Sequence, residues 1–239
     1  MENLNYRAMI MEALGVVAIN YCSGWSMIMN ANGKSNILSV GLTNMLVLTV
    51  MVWTGHAISG SHFNPAVTLG LFLTKKLHLV TALSYIVAQL GGSVLGAIII
   101  KFLVPKTYLD VAKAANMEMG YPHPASGMFM QSFVLEFIGA FMWMYMYYAL
   151  VVDKRAPKHV YGLAIGGTYG VSTLAFMKIT GAALNPARVF GPSLFALDFA
   201  NWIIYIGATI LGAVSAAFLY FLLLLKTDVK DEENVMDDE

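Results

Sequence analysis

The stretch Ser59-Gly60-Ser61-His62-Phe63-Asn64-Pro65-Ala66-Val67-Thr68-Leu69-Gly70 returns 121 residues later as Thr180-Gly181-Ala182-Ala183-Leu184-Asn185-Pro186-Ala187-Arg188-Val189-Phe190-Gly191. Asn is a favoured helix N-cap and Pro a favoured first helical residue, so each Asn-Pro starts a helix and leaves its first amides facing the turn. From Asn64 to Thr74 such a helix runs only ~16 Å, about half of the ~30 Å hydrocarbon core of a bilayer. The non-helical segments ahead of it, Ser59 to Phe63 and Thr180 to Leu184, survive at that depth only when buried in protein or lining a watery cavity.

The surroundings make a bilayer the expected solvent. The chain has 239 residues, is 58% hydrophobic and 12% charged, and has a mean hydropathy of +0.67. Uncharged runs from Ala13 to Gly33, Ser35 to Thr74, Leu77 to Ile100 and Phe199 to Leu225 match or exceed the roughly 20 residues that span hydrocarbon. We expect six spanning helices near 7-29, 36-57, 78-103, 128-152, 159-177 and 200-225, with short helices starting at Asn64 and Asn185. The run from Ser35 to Thr74 is too long for one span and contains Gly60, Ser61 and Pro65, so its helix stops and a shorter one follows.

Further pairs repeat at nearly the same offset: Tyr85-Ile86-Val87-Ala88 with Tyr205-Ile206-Gly207-Ala208, and Glu12-Ala13-Leu14-Gly15 with Glu136-Phe137-Ile138-Gly139. Each half holds three spans, an odd number, so the second half enters the membrane from the opposite face and the two Asn-Pro-Ala turns approach one another near the midplane. There the two Asn amides would donate to a passing solute oxygen while two positive helix ends disfavour cations and protons. Glu12 and Glu136 lie inside spans, where an ionisable group is costly and partnered, and we assign them to bracing the loop backbones. Gly91, Gly92, Gly96, Gly207 and Gly212 read as sites of close helix packing.

Arg7, Lys75, Lys76, Lys154, Arg155, Lys158, Lys226 and Lys230 fall on one side of such a topology, and Lys34, Lys101, Lys106, Lys113 and Lys178 on the other. The larger group sits on short loops, which puts both termini in the cytoplasm. The start of the chain reads as a retained first helix, not a cleaved leader. Repeat one covers about 7-104 and repeat two about 128-226 of one channel domain, 1-226. Residues 227-239 are acidic, lack periodicity and read as a disordered cytoplasmic tail. Lys and Arg together number 14, as do Asp and Glu, so no basic face suits nucleic acid. Neither a metal-ligand cluster, a nucleophile elbow nor a phosphate loop appears, so we expect no enzyme activity and no metal or other cofactor. The lone Cys22 forms no intrachain disulfide.

Ser59-Gly60-x-His62-x-Asn64-Pro65-Ala66-Val67-Thr68, Gly181-x-x-x-Asn185-Pro186-Ala187-Arg188 and the two membrane glutamates carry a resemblance to the aquaporins, or major intrinsic proteins, over residues 7 to 226. The resemblance implies an all-α membrane protein, a right-handed bundle of six transmembrane helices plus two re-entrant half-helices in two inverted repeats. It implies a homotetramer in the lipid bilayer with one pore per subunit, passing solute passively without a cofactor. It places a selectivity filter at Asn44, Thr173, Ala182 and Arg188, and His62 in the cytoplasmic vestibule. Strict water channels of the family carry an aromatic at 44 and His at 173, so this filter is expected to be wider and to admit water together with urea, ammonia or hydrogen peroxide. Glycerol facilitators resemble the chain too, but carry Asp where it has Val189 and line one filter wall with aromatics that Asn44 and Ala182 do not supply. Ala182 also replaces the cysteine often responsible for mercury block. The alternatives are a glycerol or polyol facilitator and a poorly conducting structural membrane protein. An ion-coupled transporter also uses inverted repeats, but it would want midplane acids for coupling, whereas Glu12 and Glu136 sit by helix starts.

Overall fold

The computed structural model describes residues 4–157 and 159–225. Residues 1–3, Lys158 and the whole 226–239 tail, with the expectations placed on them, lie outside the described residues. The first half comprises α1 (Tyr6–Ala31), α2 (Ile37–Ser59), the short α3 (Pro65–Leu73) and α4 (Leu79–Leu103). A surface helix α5 (Lys106–Ala114) and a 3-10 turn (Glu118–Gly120) lie in the connection. The second half repeats the order as α6 (Phe129–Tyr147, extended by a π turn to Val152), α7 (Tyr161–Thr180), the short α8 (Pro186–Ala196) and α9 (Thr209–Leu219, with π turns on either side). No strand occurs among the described residues.

Among the described residues, five helical stretches are long and apolar enough to cross a bilayer: Tyr6–Ala31, Ile37–Ser59, Leu79–Leu103, Phe129–Val152 and Ile203–Leu224. α7 has the length, 20 residues or ~30 Å, but a more polar make-up. Its buried side carries Thr168, Tyr169, Ser172 and Thr173, because that side turns inward to other polar groups. Leu14, Leu38, Leu46, Leu83, Val87, Ile203 and Leu222 are among the many large apolar side chains on the outer surface. Water would not tolerate that surface, and hydrocarbon does.

Packing ties the two halves together. α1 lies on α4 and α2, α6 lies on α9 and α7, and α2 packs on α7 across the halves. The short helices are exchanged: α3 rests on α9 and α8 rests on α4. Three of the five glycines expected at close packing meet it. A Cβ on Gly92 would stand 2.4 Å from the Ala13 carbonyl oxygen, one on Gly212 would stand 2.2 Å from that of Phe137, and one on Gly96 would stand 2.7 Å from Asn20 Cβ. Gly91 instead has no neighbour within 4 Å among the described residues and Gly207 has only ordinary contact at 3.7 Å, so the expectation fails for these two. The physical reason is rotation about the helix axis: Gly91 is one residue, about 100°, away from the contact line that Gly92 occupies.

Candidate functional site

Both Asn-Pro turns form as the sequence dictates. Asn64 and Asn185 are extended N-caps, each Oδ1 accepting from the amide two residues on, Ala66 N and Ala187 N, at 2.9 Å, with Pro65 and Pro186 opening the helices. The segment before each turn follows one unusual backbone path. Gly60, Ser61 and Phe63 have positive φ of 84°, 58° and 50°, and Gly181, Ala182 and Leu184 have 81°, 52° and 55°. A non-glycine residue held there costs of order 1–3 kcal/mol and persists only when its surroundings over-determine it.

The surroundings do so with the two glutamates. Glu12 accepts four hydrogen bonds: Ser59 Oγ (2.7 Å) and His62 N (3.0 Å) on one oxygen, Phe63 N (2.7 Å) and Gln89 Nε2 (2.7 Å) on the other. Glu136 accepts from Ala183 N (3.0 Å) and Leu184 N (2.7 Å). The repeated tyrosines complete the frame, Tyr85 donating to Ser59 O at 2.9 Å and Tyr205 to Thr180 O at 2.6 Å.

The two turns meet reciprocally. Asn64 Nδ2 donates to Leu184 O at 3.0 Å and Asn185 Nδ2 to Phe63 O at 2.8 Å. On one side of this junction lies His62, buried, its Nδ1 3.1 Å from Thr68 Oγ1 and its ring edge-on to Tyr85 and Tyr147.

Arg188, two residues beyond Pro186, is 1% exposed. Its Nε donates to Ser23 Oγ at 3.0 Å, Nη1 reaches Asn20 Oδ1 at 3.4 Å, and Nη2 reaches Met27 Sδ at 3.2 Å and the Gly120 carbonyl. Asn44 donates through Nδ2 to Thr173 Oγ1 at 2.9 Å, while its buried Oδ1 has no hydrogen-bond partner among the described residues. Ser23 Oγ lies 3.0 Å from Tyr169 Oη, one turn from Thr173 on α7, and so links the Arg188 group toward the Asn44–Thr173 pair. Ala182 is buried in the loop before Asn185, where its N donates to Thr180 Oγ1 at 2.8 Å. A cavity of about 150 Å³, bordered by Met27, Met117, His123, Met177, Lys178 and Gly181, opens at this end.

Asn20, Ser23, Gln89, Ser93 and the Gly120 carbonyl were not anticipated from sequence. Ser93 donates to the Ala187 carbonyl, which Asn20 Nδ2 also reaches at 2.9 Å, and Ser93 Oγ accepts from Gly191 N at 2.7 Å. The signal was present for the side chains: Asn20 and Ser23 are three apart in α1, and Gln89 and Ser93 four apart in α4. Polar residues at helical spacing inside an apolar span mark the face turned toward a polar interior. Nothing in the sequence marks the Gly120 carbonyl.

The profile of the Major intrinsic protein family matches residues 2–220. The chain belongs to that family. Among its relatives, Nodulin-26 of Glycine max is 33% identical over 214 residues, covering 89% of this chain and 76% of its own. Aquaporin NIP3-1 of Arabidopsis thaliana is 34% identical over 218 residues, covering 90% and 67%. The X-ray structure of the aquaglyceroporin from Plasmodium falciparum superposes with a TM-score of 0.73 over 92% of this chain and 97% of that one, at 19% identity, a likeness of fold alone. As a major intrinsic protein the chain is an integral, multi-pass membrane channel for water or small solutes and not an enzyme.

Proposed function

We propose that the junction of Asn64-Pro65-Ala66 with Asn185-Pro186-Ala187 is the midpoint of a pore for water and small neutral solutes, and that Asn44, Thr173, Ala182 and Arg188 form its filter. The observation that carries this is the reciprocal Asn64–Leu184 and Asn185–Phe63 bonding, which brings two positive helix starts together at the centre of the fold. Arg188 adds a permanent charge against cations and protons. Asn44 Oδ1, buried and without a hydrogen-bond partner among the described residues, is an acceptor left for a solute that brings its own N–H or O–H, which suits urea, ammonia and hydrogen peroxide beside water. His62 borders the cytoplasmic approach, while Glu12 and Glu136 brace the strained loops. Residues 1–226 act as one channel domain, both termini face the cytoplasm, and four copies assemble with a pore in each.

The test is stopped-flow light scattering on proteoliposomes under an osmotic gradient, with urea and glycerol uptake and a lumenal pH dye in parallel. We expect fast shrinkage, urea entry and no proton leak. Shrinkage no faster than in empty vesicles removes the pore reading in favour of a structural membrane protein, and glycerol entry as fast as urea entry makes the chain a polyol facilitator. Mercury should block weakly in the parent and strongly in Ala182→Cys, and equal block in both would displace Ala182 from the filter.

A further inference from the structure

Between the end of α3 and the start of α4 lies a second site, away from the Asn64–Asn185 junction. A cavity of about 340 Å³ is lined by Phe72, Lys75, Lys76, Leu77, His78 and Leu79. Three of those six side chains are basic and none is acidic, and among the described residues no carboxylate pairs with Lys75 or Lys76. Both lysines are exposed, as are the apolar side chains Leu73 at the end of α3 and Leu79, Val80 and Leu83 in the first turns of α4, of which Leu79 lines the cavity. The 79–103 span begins immediately after His78, so the cavity sits where headgroups meet hydrocarbon.

The site is held in shape. Lys75 has φ +59°, the Lys76 amide donates to Leu71 O at 2.8 Å, and the Tyr148 hydroxyl donates to Thr74 in the same turn. Lys76 Nζ stands 5.5 Å from the centroid of the Phe221 ring. The other half shows that this turn has no need of lysine. After α8 the chain makes the same left-handed turn at Leu197, φ +53°, with the Asp198 amide donating to Ser193 O at 3.1 Å. The repeat therefore keeps the backbone and changes the chemistry, from Leu-Asp at one membrane surface to Lys-Lys at the other.

We propose that this cavity binds the phosphate headgroup of an anionic membrane phospholipid, with Lys75, Lys76 and His78 on the phosphate and the acyl chains lying along Leu73, Leu79, Val80 and Leu83. Cations at a membrane surface draw anionic lipid, and apolar contact beside them holds the same molecule by its tails. That combination commits the occupant to a lipid and not to a free ion.

The full chain, exchanged into mixed micelles holding equal phosphatidylglycerol and phosphatidylcholine of identical acyl chains, would be examined by native mass spectrometry for retained lipid. We expect phosphatidylglycerol to be retained preferentially, and the preference to fall about tenfold in the double variant Lys75→Gln/Lys76→Gln. Lys75→Arg/Lys76→Arg should keep it, as should Lys106→Gln on the opposite surface, so that a folding defect is separated from loss of the site. Three results overturn the proposal: equal retention of the two lipids, displacement of phosphatidylglycerol by inorganic phosphate alone, or a preference that appears only when residues 226–239 are removed, which would make that acidic segment the occupant.

Discussion

Asn64 uses one side chain at both ends: Oδ1 caps its own helix at Ala66 N and Nδ2 crosses to the other half of the molecule at Leu184 O. Among the good N-cap residues, only Asn carries its acceptor and its donors on separate atoms, so one can cap while the other reaches across. The carboxyl groups behind the turns divide the work unequally, Glu12 taking four donors where the Glu136 oxygens take two backbone amides. Replacing a carboxyl by a carboxamide turns one oxygen into an NH2 facing donors, leaving buried groups unsatisfied. Glu12→Gln should therefore lower stability by about 2–4 kcal/mol and Glu136→Gln by about 1–2 kcal/mol, read as melting temperature in detergent. Equal losses, or a larger one at Glu136, would mean that the hydrogen bonds on Glu12 are not what hold the first loop. The donor list could not be read from sequence, because Gln89 reaches Glu12 across 77 positions of chain.

Among the elements, the crossings depend on glycines that admit another helix's backbone. Gly92 in α4 lies against Ala13 of α1, and its repeat partner Gly212 in α9 lies against Phe137 of α6. A methyl at either would stand well inside van der Waals contact with a carbonyl oxygen, and backbone yields only by moving the whole helix. Gly92→Ala and Gly212→Ala should each cost about 1–3 kcal/mol and reduce folded yield in the membrane, whereas Gly91→Ala, with nothing within 4 Å, should leave both unchanged. Comparable melting of the Gly91 and Gly92 variants would sink this account. Six spans and two short helices were legible because hydrophobic run length and the Asn-Pro-Ala pair are local signals that sit in the sequence undisguised. The expected 36-57 and 128-152 fall within a few residues of Ile37–Ser59 and Phe129–Val152. The connection from 105 to 127 lies between the expected spans 78-103 and 128-152, yet it holds α5 and carries Gly120 to Arg188. Its placement comes from tertiary contacts with α1 and α8, and run length says nothing about those.

In the whole molecule, polar clasps close both ends of the bundle. At one end Asp153, after α6, accepts from Arg155 Nε at 2.9 Å and from Tyr220 Oη at 3.0 Å, and Arg155 Nη2 donates to Leu224 O at 2.9 Å at the finish of the last span. At the other, His123 Nε2 lies 2.8 Å from Asp198 Oδ2. The Arg155 guanidinium holds the Asp153 carboxyl well below the usual carboxylate range. Burial alone would raise Asp198, but Tyr121, His123 and the Ala200 amide beside it outweigh that and hold it low as well. A depressed carboxyl contributes stability above its unfolded value, about 3.9, and loses it as pH falls through the folded one. Melting temperature should thus be insensitive to these pairs near neutrality and decline below about pH 4, and Asp153→Asn should lower the neutral value while making the acid decline shallower. An unchanged acid decline in that variant would place the titrating groups elsewhere. The reciprocal bond between the two turns bears also on how the channel is made. Phe63 O awaits a donor from Asn185, 122 residues further along the chain. A ribosome feeding this protein into a membrane therefore releases its first re-entrant loop long before the matching one exists, and that loop must stay hydrated or chaperoned at the insertion machinery until the second half arrives to dry it.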